Sequence, residues 1–149
     1  MQIMAILRMD HVGVVVDDLA AAVRFFAEVG MELEDRSPVE GRWVDQVVGL
    51  DDVRVEIAMM RIPDGDGRLE LTKFHRPAAI SADPETALPQ TLGIRRIMFA
   101  VDDLADAILR LRAHGAELVG EVAEYEDQYR LCYLRGPAGV IVALAEPLS

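Results

Sequence analysis

The sequence predicts an α+β fold made of two tandem βαβββ modules. Two observations predict it: an internal repeat, and a helix in each repeat with the same start and stop signals. The stretch from Asp10, "DHVGVVVDDLAAAVRFFAEVGMEL", aligns with "RRIMFAVDDLADAILRLRAHGAEL" from Arg95 at a constant offset of 85 residues. Between Val16–Leu33 and Val101–Leu118, nine of eighteen positions are identical, where chance gives about one. In each copy a strand runs into Val-Asp-Asp, whose second aspartate can accept hydrogen bonds from the free N–H groups of a helix start. Leu19, Ala22, Val23 and Phe26 form an apolar stripe at helical spacing, repeated by Leu104, Ala107, Ile108 and Leu111. Gly30 and Gly115 supply the left-handed residue that ends each helix. The helices are therefore expected over Asp18–Val29 and Asp103–His114.

Strand signals follow each helix. In the first half they lie near Met31–Arg36, Arg42–Val48, Val53–Ile62 and Arg68–Phe74. Val53, Val55, Ile57 and Met59 alternate with Arg54, Glu56, Ala58 and Met60, as a strand with one buried face requires. Pro63-Asp64-Gly65-Asp66-Gly67 reads as a turn. In the second half the strands are expected near Glu117–Val119, Glu121–Tyr125, Tyr129–Arg135 and Val140–Ala145, with Gly136–Gly139 as the corresponding turn. The half-repeats thus occupy about 8–75 and 94–146 of a single domain, 1–149. Residues 76–93, with Pro77, Pro84 and Pro89, read as a linker with at most a short helical turn.

Composition narrows the function classes. Apolar residues make up 52% of the 149, enough for a folded core. The formal net charge of −11 argues against nucleic acid and against an anionic membrane surface, and mildly favours cationic ligands. Cys132 is the only cysteine and sits in an apolar run, so it reads as a buried small hydrophobe rather than a nucleophile. A single cysteine fits a reducing compartment, and Met1–Leu7 carry no basic segment of a signal peptide, so a cytoplasmic location is expected.

His11-Val12-Gly13-Val14-Val15-Val16-Asp17-Asp18-Leu19, with "GRLELTKF", "RRIMFAVDDL" and "GPAGVIVALAE" further on, resembles the vicinal oxygen chelate superfamily over essentially the whole chain. That group includes glyoxalase I, methylmalonyl-CoA epimerase, extradiol dioxygenases, and fosfomycin and bleomycin resistance proteins. The resemblance implies a cupped mixed sheet around a small-molecule cavity, helices on its convex side, and a homodimer. It also implies metal-ligand positions on the first and last strand of each half. Here these are His11, Glu70, Arg96 and Ala143. His11 plus the 85-residue offset is Arg96, so the repeat supports that position independently. A guanidinium stays protonated and has no free lone pair, and Ala143 has no donor atom. No cofactor is therefore expected. If a divalent metal is held, His11 and Glu70 are the ligands.

Strand parity predicts which side chains share the cavity face. His11, Gly13 and Val15 fall on one side of the first strand; Glu70, Thr72 and Phe74, then Arg96, Met98 and Ala100, then Ile141, Ala143 and Ala145 fall on the matching sides of the others. His11, Glu70, Thr72, Arg96, Met98, Trp43 and Tyr133 are the ligand-contact candidates, and His11, Glu70 and Arg96 the catalytic ones. Charge balance predicts an Arg96–Glu70 ion pair in place of the metal. His75 and His114 read as surface residues, Tyr125 and Tyr129 as packing, and Glu121, Glu124, Glu126 and Asp127 as a solvated loop.

The function expected is binding of a small organic molecule in a sheet cavity with a degraded metal tetrad, as a sequestering or resistance-type binder or a divergent enzyme. The alternatives are a metal-dependent lyase, isomerase or epimerase of glyoxalase I type and, less favoured, an extradiol-type dioxygenase.

Overall fold

Residues 5–81 and 87–148 are described in a computed structural model. Residues 1–4 of the N-terminal run and 82–86 of the linker lie outside the described residues. The first half runs β1 (Val12–Val15), α1 (Leu19–Val29), β2 (Glu32–Glu40), α2 (Arg42–Val48), β3 (Arg54–Arg61) and β4 (Arg68–Arg76). The second runs β5 (Arg96–Ala100), α3 (Leu104–Ala113), β6 (Glu117–Leu118), β7 (Ala123–Tyr125), β8 (Tyr129–Arg135), a 3-10 turn (Pro137–Gly139) and β9 (Ile141–Pro147). Hydrogen bonding divides the strands into two mixed sheets. One has the order β1-β4-β3-β2, and the other β5-β9-β8-β6 with β7 also on β8. In each half the first strand lies parallel to the last, and the remaining pairs are antiparallel.

The helix signals act as the sequence reading requires. Asp18 accepts a 3.0 Å bond from the Ala21 amide, and Asp103 accepts one of 3.0 Å from Asp106. Gly30 and Gly115 take φ of 125° and 92°. Leu19, Ala22, Phe25 and Phe26 of α1 and Leu104, Ala107 and Leu111 of α3 are buried in one core shared by both halves. Phe26 sets its ring 6.4 Å from that of Phe99 on β5, so the two repeats are joined through apolar packing. Val12, Val14 and Val16 of the first half and Ile97, Phe99 and Val101 of the second pack on the helix side. Gly13, Val15, Arg96 and Met98 are left on the other face, as parity requires.

One expected strand is a helix. Arg42–Val48 forms α2, and its removal from the strand count leaves three strands after α1. Gly41 and Gly49, at φ 125° and 72°, bracket the seven residues and supply backbone angles that L side chains resist. The Asp45 carboxylate accepts from the Val53 amide at 2.8 Å and the Asp52 amide at 3.1 Å, pinning the helix to the start of β3. Val44 is buried against Val53 and Val55 in a small second core. The signal was present as two bracketing glycines and Val44, Val47 and Val48 at helical spacing. β2 extends further than expected, to Glu40, and carries Pro38 in its interior. It ends its sheet, where a residue without an N–H is tolerated.

We expect Asp45→Ala to cost about 1–3 kcal/mol, because a part-buried amide loses its acceptor, and a lower melting temperature by circular dichroism would register it. Burial pushes the Cys132 thiol above its ordinary 9.0. Cys132 should therefore resist an aromatic disulfide reagent at pH 8 in the native protein and react at once in denaturant.

Candidate functional site

His11 immediately precedes β1, and Glu70 lies on the adjacent strand β4, where it pairs in register with Gly13. The His11 Nε2 sits 3.3 Å from Glu70 Oε2, with side chains 32% and 25% exposed, so both are held in place yet reachable from solvent. The Thr72 hydroxyl donates to Glu70 Oε1 at 3.4 Å. On its other edge, His11 Nδ1 meets Asp10 Oδ2 at 2.8 Å. Asp10 in turn contacts Arg8 at 3.1 Å and Arg68 at 3.5 Å, and Arg68 is forked onto Glu34 through two bonds of 3.1 Å. The result is one continuous polar chain, from Glu34 through Arg68, Asp10 and His11 to Glu70 and Thr72.

Asp10 and Arg68 were missed by the sequence reading. Asp10 lies before the first strand, so parity does not place it, and its role rests on adjacency to His11. The bond from His11 holds the Asp10 carboxyl below its ordinary 3.8, with Arg8 and Arg68 adding to the shift against a partial loss of water. The Nδ1 bond to Asp10, with Glu70 close to the opposite edge, holds the imidazole in place, as a carboxylate behind a histidine does.

The second half is arranged differently. Met98 of β5, Ala143 of β9 and Tyr133 of β8 stand in one row across three strands. The Arg96 guanidinium lies 5.4 Å from the Tyr133 ring centre. To reach β8 from β5 the side chain must cross β9, so it passes over Ile141 and Ala143, and both are fully buried. Arg96 therefore does not pair with Glu70. The expected ion pair is replaced by two separate contacts, His11 with Glu70 and Arg96 with Tyr133. The cause is local: Ala143 leaves open space beside Arg96, and an aromatic face is within reach. Trp43 stands on α2, 60% exposed, rather than on a strand beside the other candidates.

His11 and Met98 do share one enclosure. A cavity of about 430 Å³ is lined by both, with Met9, Met31, Ile97 and Phe99 among its apolar walls. Arg8, Asp66 and Arg68 stand among its polar residues. It brings β1 and β5, the facing first strands of the two halves, to one opening. Met98 is 52% exposed there. His75 lies 4.0 Å from Glu56 and His114 3.8 Å from Glu28, and neither lines this cavity.

The donor set does not fit a four-ligand metal centre. The strand registers equate Gly13 with Met98 and Glu70 with Ala143, so the fourth position lacks a donor and the third is a cation. Among the described residues, no group of three or more His, Cys, Asp or Glu side chains is placed to hold a metal.

Two sheets built from repeated βαβββ modules, with shared helices on one face, define a duplicated α+β sheet protein. The chain belongs to the Glyoxalase/Bleomycin resistance protein/Dioxygenase superfamily, whose family model matches residues 8–144. A glyoxalase family protein from Bacillus cereus is 50% identical, covers 100% of this chain and 99% of its own, and superposes with a TM-score of 0.94. YwbC of Bacillus subtilis is 27% identical over 135 residues, 89% of this chain and 91% of that protein. TnmS3, an antibiotic binding protein from Streptomyces sp. CB03234, shares the fold at 19% identity, 97% and 98% coverage and a TM-score of 0.59.

We expect Arg96→Met to cost at most about 1 kcal/mol, the scale of an exposed cation–aromatic contact. A double-mutant cycle with Glu70→Gln should give additive melts, because the two residues do not touch. Asp10 should titrate below 3.8 by carboxyl NMR. Its folded value is the lower one, so its stabilising contribution is complete above the unfolded value and disappears as the pH falls through the folded one. Asp10→Asn should therefore flatten the pH dependence of stability only at the acid end.

Proposed function

We propose that this chain binds a small organic molecule at the opening between β1 and β5, as a sequestering protein or a divergent enzyme, without a metal held by the four family positions. The observation that carries this reading is His11, approached at 3.3 Å by Glu70, on the wall of a largely apolar cavity of about 430 Å³, a volume within the range of small-molecule sites. The polar pair fixes orientation by hydrogen bonding, and Met9, Met31, Met98 and Phe99 supply an adaptable apolar surface. Arg96 and Tyr133 pair with each other outside this cavity, so the second half contributes Ile97, Met98 and Phe99 to its wall. TnmS3, which shares the fold, is an antibiotic binding protein, so this fold can hold a small organic molecule.

One observation favours the metal-dependent isomerase or lyase reading. Two family ligand positions, His11 and Glu70, converge to 3.3 Å, and Asp10 stands behind His11 as a carboxylate stands behind a metal-bound histidine. Two protein donors leave the remaining positions of a divalent ion to water, and this favours the metal-free reading.

Dimerisation is supported by exposed apolar side chains at repeat-equivalent places. Leu7 and Met9 are 89% and 78% exposed, and their counterparts Leu92 and Ile94 are 94% and 85%. Paired arms of this kind are costly to leave in water. No helix is long and apolar enough to cross a membrane among the described residues.

Anilinonaphthalene sulfonate should fluoresce on binding the native protein, and Met98→Trp should suppress the signal by filling the opening. No enhancement, or an unchanged signal in the variant, refutes the site. Elemental analysis of protein purified without chelator should give well under one divalent metal per chain; a stoichiometric metal establishes the alternative. Light scattering should give a mass near twice 16.4 kDa.

A further inference from the structure

A second cavity, about 400 Å³, shares no lining residue with the one at His11. It lies between the start of α1, the end of α3 and the turn after β8. Its floor is apolar: Val16, Ala22, Phe25 and Ala116 are all buried. Its space comes from small residues, with Ala21, Gly115 and Ala138 at the walls. Gly136 closes one side. A Cβ there would stand 3.2 Å from Phe25 Cζ and 3.3 Å from Val142 Cγ2, so only glycine lets the turn approach Phe25 this closely without displacing it.

Asp17, Asp18, His114 and Arg135 are the ionisable residues lining this cavity, and His114 already lies 3.8 Å from Glu28. Asp17 lines it from the strand–helix junction, and Arg135 lines it from the end of β8. Arg135 Nη1 donates to the carbonyls of Ala87 at 2.9 Å and Gly139 at 3.0 Å, which fixes the guanidinium and leaves its other N–H groups available. Among the described residues, Asp17 and Arg135 make no ion pair, with each other or with another side chain. Asp18 is already committed to the Ala21 amide. A carboxylate and a guanidinium that line one apolar-floored space without an ion pair between them are the complement of a ligand with both charges.

We infer that this cavity binds a free α-amino acid with an apolar side chain. The ammonium meets Asp17, the carboxylate meets the Arg135 fork, and the side chain lies on Ala22 and Phe25. A guanidinium matches a carboxylate through parallel hydrogen bonds, so the carboxylate end sets the orientation. A ligand with one charge leaves the other protein charge unmet, which gives selectivity for the zwitterion. This site is independent of the function proposed for the opening at His11.

The test uses the full chain labelled with ¹⁵N and three probes: L-leucine, L-leucinamide without the carboxylate, and N-acetyl-L-leucine without the ammonium. L-Leucine should shift the amides of Asp17, Ala21 and Gly136 with saturation in the millimolar range. The two singly charged analogues should bind at least about tenfold more weakly. Asp17→Asn, an exposed change that leaves the Asp18 cap in place, should lower leucine affinity by a similar factor. Ala21→Leu should fill the cavity and abolish the shifts. No saturable shifts with L-leucine, equal binding of either analogue, or unchanged affinity in Asp17→Asn overturns the proposal. If Ala21→Leu does not fold, Asp17→Asn and the two analogues decide it.

Discussion

The parallel pairing of each repeat's first strand with its last is the constraint on which the rest depends. It puts Gly13 opposite Glu70 and Met98 opposite Ala143. Once those registers are set, side-chain alternation decides every other assignment. Val12 and Val14, like Ile97 and Phe99, turn toward the helices and join one core. A slip of one residue would drive Glu70 into that core and expose Leu69 and Leu71. Such a slip loses two buried leucines and strands a charge, so the hydrophobic pattern guards the register that builds the site. The helices act on the same constraint from the other side. Asp18 and Asp103 start them and Gly30 and Gly115 stop them, so each presents its stripe at the same height over its sheet.

The two halves use the opposite face differently. In the first half it is polar and open. Glu70 and Thr72 are half-buried, and His11 completes a polar chain back to Glu34. In such a chain each group is held by the next, and the histidine ring has little freedom left. In the second half the same face is apolar and covered: Ile141, Ala143 and Ala145 are buried although they point away from the helices. Arg96 and Tyr133 form the cover. The two halves therefore present different surfaces on this face, polar on the first and largely apolar on the second.

The elements that were legible in the sequence are those set by local chemistry. Both long helices, their aspartate caps and glycine stops, and the strands from Val53 and Arg68 onward follow from spacing alone. α2 was misread because valines that suit a strand can also sit on a short helix, and two glycines in positive φ with one long-range carboxylate bond decide between them. The approach of His11 to Glu70 was legible because a repeat and a parity rule place them on matching positions of paired strands. Asp10 and Arg68 were not, because their roles depend on side-chain reach outside regular structure. The partner of Arg96 was wrong for a related reason. Counting charges gave Glu70 as the nearest balance, but the count ignores competition. Glu70 already has His11 at 3.3 Å, and Arg96 has an aromatic face across an alanine.

That last arrangement makes Arg96 and Ala143 two parts of one change. A carboxylate at position 143 would stand in the row between Met98 and Tyr133, directly in the path of the arginine. It would stop the guanidinium on β9 as a short ion pair instead of letting it cross to the ring. An alanine there with a neutral, short side chain at position 96 would leave the floor of Ile141 and Ala143 open to water, at a cost of about 25 cal/mol for each Å² of apolar surface. Arginine at 96 with alanine at 143 satisfies both requirements, since the stem covers the apolar floor and the charged end rests over the Tyr133 ring. The second half thus keeps its shape by packing. The first half keeps its His–Glu pair because Asp10 and Thr72 hold that pair without any contribution from the second.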